Sequence, residues 1–176
     1  MPVLSSKLDT VVSASYMMFC LYSHAANAQR DRSEAGRLAF ADGVGFAASA
    51  VGVRTATEVS RAFVSVETWS RMPRILPEQR PFDFAIEGRV DFPDDCWRVD
   101  ESLDSPVRCG IELPSGAGRY GARVIAYNHN EVLDRFEMAQ AGTDEEFAAA
   151  LHEMRRLIPE AAERYQIQLW PLGRQG

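Results

Sequence analysis

Ala62-Phe63-Val64-Ser65-Val66-Glu67-Thr68-Trp69 is the stretch that decides the fold class. Its β-branched and aromatic residues fit a pleated, half-buried strand. On its N-terminal side, residues 43–57 are dominated by small side chains. Gly43, Gly45 and Gly52 each disfavour a helix, so a further strand is expected there. Residues 11–22 also alternate, with Val12, Ala14, Tyr16, Met18 and Cys20 on one face and Ser13, Ser15, Met17, Phe19 and Leu21 on the other. Both faces turn apolar toward the end of that run, as in a strand buried between two layers. The polar residues 24–37 read as a loop or a short helix.

On the C-terminal side, Pro73, Pro77 and Pro81 mark a connection. Phe82, Phe84 and Ile86 then alternate strictly with Asp83, Ala85 and Glu87. Residues 107–113 and 119–127 are expected to form a hairpin about Pro114-Ser115-Gly116-Ala117-Gly118, whose glycines supply turn conformations. A last strand, Tyr165-Gln166-Ile167-Gln168-Leu169-Trp170-Pro171, closes the chain. One segment breaks the β pattern. Thr143-Asp144-Glu145-Glu146 is a capping box, and Phe147, Leu151, Met154 and Ile158 behind it follow helical spacing until Pro159. The expectation is a single mostly β domain over residues 1–176, an antiparallel two-sheet β-sandwich. One amphipathic helix, in an insert at about 131–163, packs on a sheet edge or face before the last strand.

Composition narrows the function classes. With 176 residues, 46% hydrophobic and 25% charged, the chain has ordinary globular content and enough length for one core. No run approaches the roughly 18–20 uncharged apolar residues that span a bilayer, so no membrane partner is expected. A net charge of -6 argues against direct nucleic-acid binding, which needs clustered Lys and Arg. Cys20, Cys96 and Cys109 show no ligand spacing and read as three reduced thiols of a cytoplasmic protein, with a Cys96–Cys109 bridge as the alternative. Lys7, residues 11–22 and Ala26-Asn27-Ala28 imitate a secretory signal. Asp9, the serines and two tyrosines oppose that reading, and the chain is expected to stay cytoplasmic.

Catalytic signals are weak. His24, His129 and His152 have no HExxH or HxH arrangement, so no metal site is expected. There is no G-x-S-x-G elbow and no P-loop lysine. The glycines at 43 and 45 are not followed by the amphipathic helix of a dinucleotide site. No catalytic residue and no cofactor is expected. An enzyme would need a pocket with two convergent polar groups, such as His129 with a carboxylate.

Charge distribution is more informative. Asp83, Glu87, Asp91, Asp94, Asp95, Asp100, Glu101 and Asp104 are opposed only by Arg89 and Arg98, so residues 83–104 carry the whole net charge of -6. A solvated face is the plain reading. Calcium is disfavoured because the EF-hand spacing is absent. The functional reading is a docking surface for a basic partner built from Asp91, Phe92, Asp94, Asp95, Trp97, Asp100, Glu101 and Asp104. Phe92 and Trp97 are its aromatic anchors.

A family resemblance adds to this. Ser13-Ala14-Ser15-Tyr16-Met17-Met18-Phe19-Cys20-Leu21 resembles the opening Ser-x-Ser-Tyr-x-x-Phe strand of the competence protein J family of nuclease inhibitors. Residues 118–124, entered from Leu113-Pro114, are similar to that family's Leu-Pro-x-Gly-x-Tyr segment, and Tyr165–Pro171 resembles its terminal strand. These segments cover about a quarter of the chain, and the helical insert is set apart as a departure. The resemblance implies a sandwich that binds and silences a cognate nuclease, in competence or as an immunity or antitoxin-like protein. The competing expectation is a non-catalytic module binding another protein or a carbohydrate, with Trp69, Trp97 and Trp170 as a flat platform.

Overall fold

A computed structural model describes residues 1–23, 28–58, 61–75, 81–102, 105–156 and 162–173. Among these described residues, ten strands and three α-helices follow in the order β1 (Leu4–Ser13), β2 (Met18–Ser23), α1 (Ala28–Asp42), β3 (Val44–Ala47), β4 (Ala50–Arg54), β5 (Arg61–Trp69), β6 (Phe84–Phe92), β7 (Cys96–Ser102), β8 (Ser105–Glu112), β9 (Gly118–Tyr127), α2 (His129–Gln140), α3 (Asp144–Arg155) and β10 (Arg164–Pro171). Two five-stranded sheets form, ordered β1-β5-β10-β9-β6 and β3-β4-β2-β7-β8. Their inner faces share one hydrophobic core. Val64, Val66, Val124, Ile167 and Leu169 come from the first sheet, and Phe19, Leu21, Val51, Val53, Trp97 and Val99 from the second.

The alternating run at 11–22 is two strands rather than one. Tyr16 and Met17 take left-handed φ values of 59° and 57°, and the chain crosses there from one sheet to the other. Period-2 patterning continues on both sides of the crossing, so periodicity alone does not reveal it. Likewise β8 and β9 are not a hairpin. The turn at 113–117 reverses the chain but delivers β9 to the opposite sheet, where it pairs with β6 and β10. Turn chemistry reports a reversal, not the partner of the strand that follows. The sheets are also not purely antiparallel, because β10 runs parallel to β5.

Residues 28–42 form a full helix where a loop or short helix was expected. Its sheet-facing residues are Arg32, Ala35, Gly36 and Ala39, all buried at i, i+3, i+4 and i+7. That spacing is helical, but Arg, Ala and Gly make no conspicuous apolar stripe. The helix lies on the outer face of the second sheet. This explains why β2 is apolar on both faces: Phe19 and Leu21 point into the core, while Cys20 and Tyr22 pack under Ala35.

The helical insert holds two helices, α2 and α3, instead of one. The capping box on Thr143 and Glu146 is present as expected. However, α3 buries none of its residues completely, and α2 buries only Val132. The apolar stripe of α3 meets α2 rather than a sheet, with the Phe136 and Phe147 rings 6.0 Å apart. Ile158 and Pro159 lie outside the described residues.

Candidate functional site

The acidic segment that is continuous in sequence is divided by the fold. From Phe84 to Phe92, β6 runs from the end of the sandwich beside Ala126 to the end beside Gly118. After the turn at 93–95, β7 returns. At about 3.3 Å per residue, its seven residues carry the chain about 20 Å from Asp95 toward Glu101. Asp83 and Glu101 therefore belong to one end and Asp91, Asp94 and Asp95 to the other. Asp104 lies outside the described residues.

Several of these carboxylates are already engaged. Asp83 accepts the backbone N–H of His129 at 2.6 Å. Glu87 pairs with the buried Arg123 at 2.7 Å, and Asp91 pairs with Arg119 at 2.8 Å on the surface. Asp94 accepts from the Ser23 hydroxyl at 2.5 Å. Asp100 is only 2% exposed and faces α1. It accepts from the Tyr22 hydroxyl and lies 3.4 Å from both Arg32 and Arg98. The two guanidinium groups also stand over the Tyr22 ring, at 5.4 and 4.4 Å from its centroid. Asp100 is thus a structural member of a buried cluster and not a docking residue.

The aromatic anchors are corrected too. Phe92 is fully buried and Trp97 is 1% exposed; both are core residues. Strand parity turns them inward, because Asp91 beside Phe92 and Arg98 beside Trp97 occupy the opposite strand faces. Trp170 is buried and Trp69 half-buried, so the three tryptophans form no flat platform. Register also pairs Cys96 with Glu112, not Cys109, and Cys20 and Cys96 are free thiols.

What the fold does assemble is a smaller acidic turn. Asp94 and Asp95 lie between β6 and β7, and Glu112, at the end of β8, joins them from across the ladder. The Leu113 N–H donates to the Asp95 carbonyl at 2.7 Å and fixes this turn against the one at 113–117. All three carboxylates act on the charge of the Cys96 thiol. Burial, then Asp94, Asp95 and Glu112, push its thiol up from the usual range. Beside the turn runs a shallow cleft bounded by Asp91, Pro93, Ser115, Arg119 and Pro171. Glu112 carries no sequence signal for this role, because only strand pairing brings it there.

At the opposite end, His129 does meet a carboxylate. Its Nδ1 lies 2.9 Å from Glu163 Oε1 and 2.8 Å from the Tyr165 hydroxyl. Glu163 is fully buried and also accepts the Ala56 N–H at 2.7 Å. The Tyr165 hydroxyl donates to the Arg54 carbonyl at 2.9 Å and contacts Glu163. Burial and the adjacent carboxylate hold the phenol well above its ordinary range. The carboxylate is enclosed by polar groups of β10, α2 and the β4–β5 connection, and His129 lines none of the described cavities. This arrangement fastens the start of α2 to the sandwich. No group of three or more His, Cys, Asp or Glu residues positioned to hold a metal occurs among the described residues, and no described helix is long and apolar enough to cross a membrane.

No protein-family model matches the chain, and no curated protein is detectably similar to it in sequence. Its fold is nevertheless similar to solved structures. ComJ from Bacillus subtilis, an inhibitor of the DNA-degrading activity of NucA, superposes with a TM-score of 0.58 at 14% identity, over 98% of this chain and 99% of that one. The product of crocagin biosynthetic gene J gives a TM-score of 0.55 at 14% identity, with the same coverage. The likeness extends over nearly the whole chain, well beyond the strands quoted from the sequence.

Proposed function

We propose that this protein is a non-catalytic inhibitor that binds a basic cognate nuclease and blocks its access to DNA, as an immunity or antitoxin-like protein of the cytoplasm. The observation that carries this reading is the fold shared, nearly end to end, with an inhibitor of a DNA-degrading enzyme. The acidic turn of Asp94, Asp95 and Glu112, with Asp91 beside it, is the proposed contact. Clustered carboxylates imitate phosphates toward a cationic groove, speed the encounter and leave the affinity sensitive to salt. Phe92 and Trp97, on either side of the turn, anchor it in the core, while Asp100 holds α1.

The test is inhibition. The purified protein is added at rising molar ratio to the nuclease recovered with it from its own host, and degradation of duplex DNA is followed. Near-stoichiometric loss of cleavage supports the reading. Unchanged cleavage at a large excess of the protein overturns it.

A further inference from the structure

The first sheet ends on β1, which pairs with β5 on one side and with no described strand on the other. The remaining sheet edges are blunted. The Asp91 N–H of β6 donates to the Ala48 carbonyl at 2.7 Å, β3 has four residues, and β8 includes Pro106, which offers no N–H. By contrast, β1 runs for ten residues without a proline. None of its residues from Leu4 to Asp9 is buried, and the Lys7 and Asp9 side chains are 46% and 67% exposed. A long, open edge of this kind is a template for another strand.

The ladder fixes which groups that edge offers. The Phe63 N–H turns toward β10 and donates to the Glu163 carbonyl at 2.9 Å. By alternation Val64 and Val66 turn toward β1, where they meet Thr10 and Leu8. The backbone N–H and C=O groups of Lys7 and Asp9 therefore point away from the sheet. Their side chains share the outer face, 3.2 Å apart, while Leu8 packs against the core.

We infer that two copies of this chain pair antiparallel through β1, with the two-fold axis at Leu8. Lys7 then lies opposite the partner's Asp9, and Asp9 opposite the partner's Lys7. These pairs exchange backbone hydrogen bonds in both symmetric halves, and the two Leu8 side chains meet on the core-facing side. Charge selects this register. Lys7 and Asp9 are the only charged residues of β1. An axis at Lys7 or at Asp9 would set like charges face to face, which is unfavourable. An axis at Ser6 or Thr10 would leave both charges without an opposite partner. The bulge between Leu4 and Ser6 confines the pairing to Ser6–Thr10. The dimer joins the two five-stranded sheets into one, and the inference stands without the nuclease reading.

Sedimentation equilibrium of the full-length protein, from about 1 to 200 µM, tests for the dimer. A concentration-dependent dimer is expected. Lys7→Asp should weaken it about tenfold, because like charges then meet across the interface, and Lys7→Asp with Asp9→Lys should restore it. In a Cys96→Ser, Cys109→Ser background, Leu8→Cys should form an intermolecular disulfide on mild oxidation. Thr10→Cys should not, since only residues facing each other at the axis come close enough to bridge. Circular dichroism checks that each variant stays folded. A monomer throughout that range, a dimer unweakened by Lys7→Asp, a charge swap that fails to restore it, or cross-linking no faster at position 8 than at position 10 overturns the inference.

Discussion

Gly45 and Gly52 face each other across the β3–β4 ladder, and the Ala35 carbonyl of α1 occupies the space where either would carry a side chain. A Cβ at Gly45 would stand 2.1 Å from that oxygen, and one at Gly52 2.5 Å from it. The pair is a seat for the helix backbone, and both obstacles are main chain that cannot rotate away. Gly52→Ala is expected to destabilise the protein by about 2 kcal/mol or more, through forced displacement of α1. Urea unfolding measures this. A variant as stable as the parent would show that the helix rides higher on the sheet than described.

Asp100, which accepts from Tyr22 within the second sheet, ties the same helix to it through Arg32. Removing the Asp100 carboxylate leaves Arg32 and Arg98 facing each other in a buried site. Asp100→Ala is expected to cost about 3–5 kcal/mol, against about 1–2 kcal/mol for Tyr22→Phe, which loses one hydrogen bond. Thermal and urea unfolding of both variants rank the two effects. A ranking reversed in favour of Tyr22 would mean that the ion cluster is not what holds α1.

Much of the architecture is legible in the sequence, and its failures share a physical cause. Strand content, the capping box on Thr143 and the terminal strand follow from local pattern and turn chemistry. The crossing at Tyr16–Met17, the separation of β8 from β9 and the parallel β5–β10 pair are decided by which strands meet in space. Alternation is the same in either sheet. The docking surface illustrates the limit most plainly. Acids close in sequence, such as Asp83 and Asp94, are drawn apart by the run of β6 and β7, while Glu112, distant in sequence, is brought beside Asp94 and Asp95 by a ladder pairing.

That convergence has a chemical signature in Cys96. Its thiol is held up by burial and then by nearby negative charge, so neutralising the carboxylates should bring it part of the way down and raise the thiolate fraction at a fixed pH. In a Cys109→Ser background, Asp94→Asn with Asp95→Asn and Glu112→Gln is expected to shift the pH–rate profile of iodoacetamide alkylation to lower pH. Cys20, pushed up to about 12 by burial, should remain unreactive below pH 9 in the folded protein. An unshifted Cys96 profile would place the three carboxylates farther apart than the β7–β8 register does.

Glu163 fastens α2 from inside the sandwich. Glu163→Ala leaves the Ala56 N–H without its acceptor and removes the partner of His129. It is expected to cost about 3 kcal/mol and to speed amide exchange in α2 ahead of the sheets. Glu163→Gln, which keeps an acceptor for the amide, should lose less. Uniform acceleration across the whole chain would indicate a core defect instead of a released helix.

The central claim is that the acidic turn makes this protein an inhibitor of a basic nuclease. Stopped-flow association with the cognate nuclease, at two salt concentrations, tests it most directly. The parent should associate rapidly, with a rate that falls as salt rises. Asp94→Ser with Asp95→Ser and Glu112→Ser should slow association by about tenfold and flatten the salt dependence. A variant that binds and inhibits with unchanged rate and unchanged salt dependence would contradict the account.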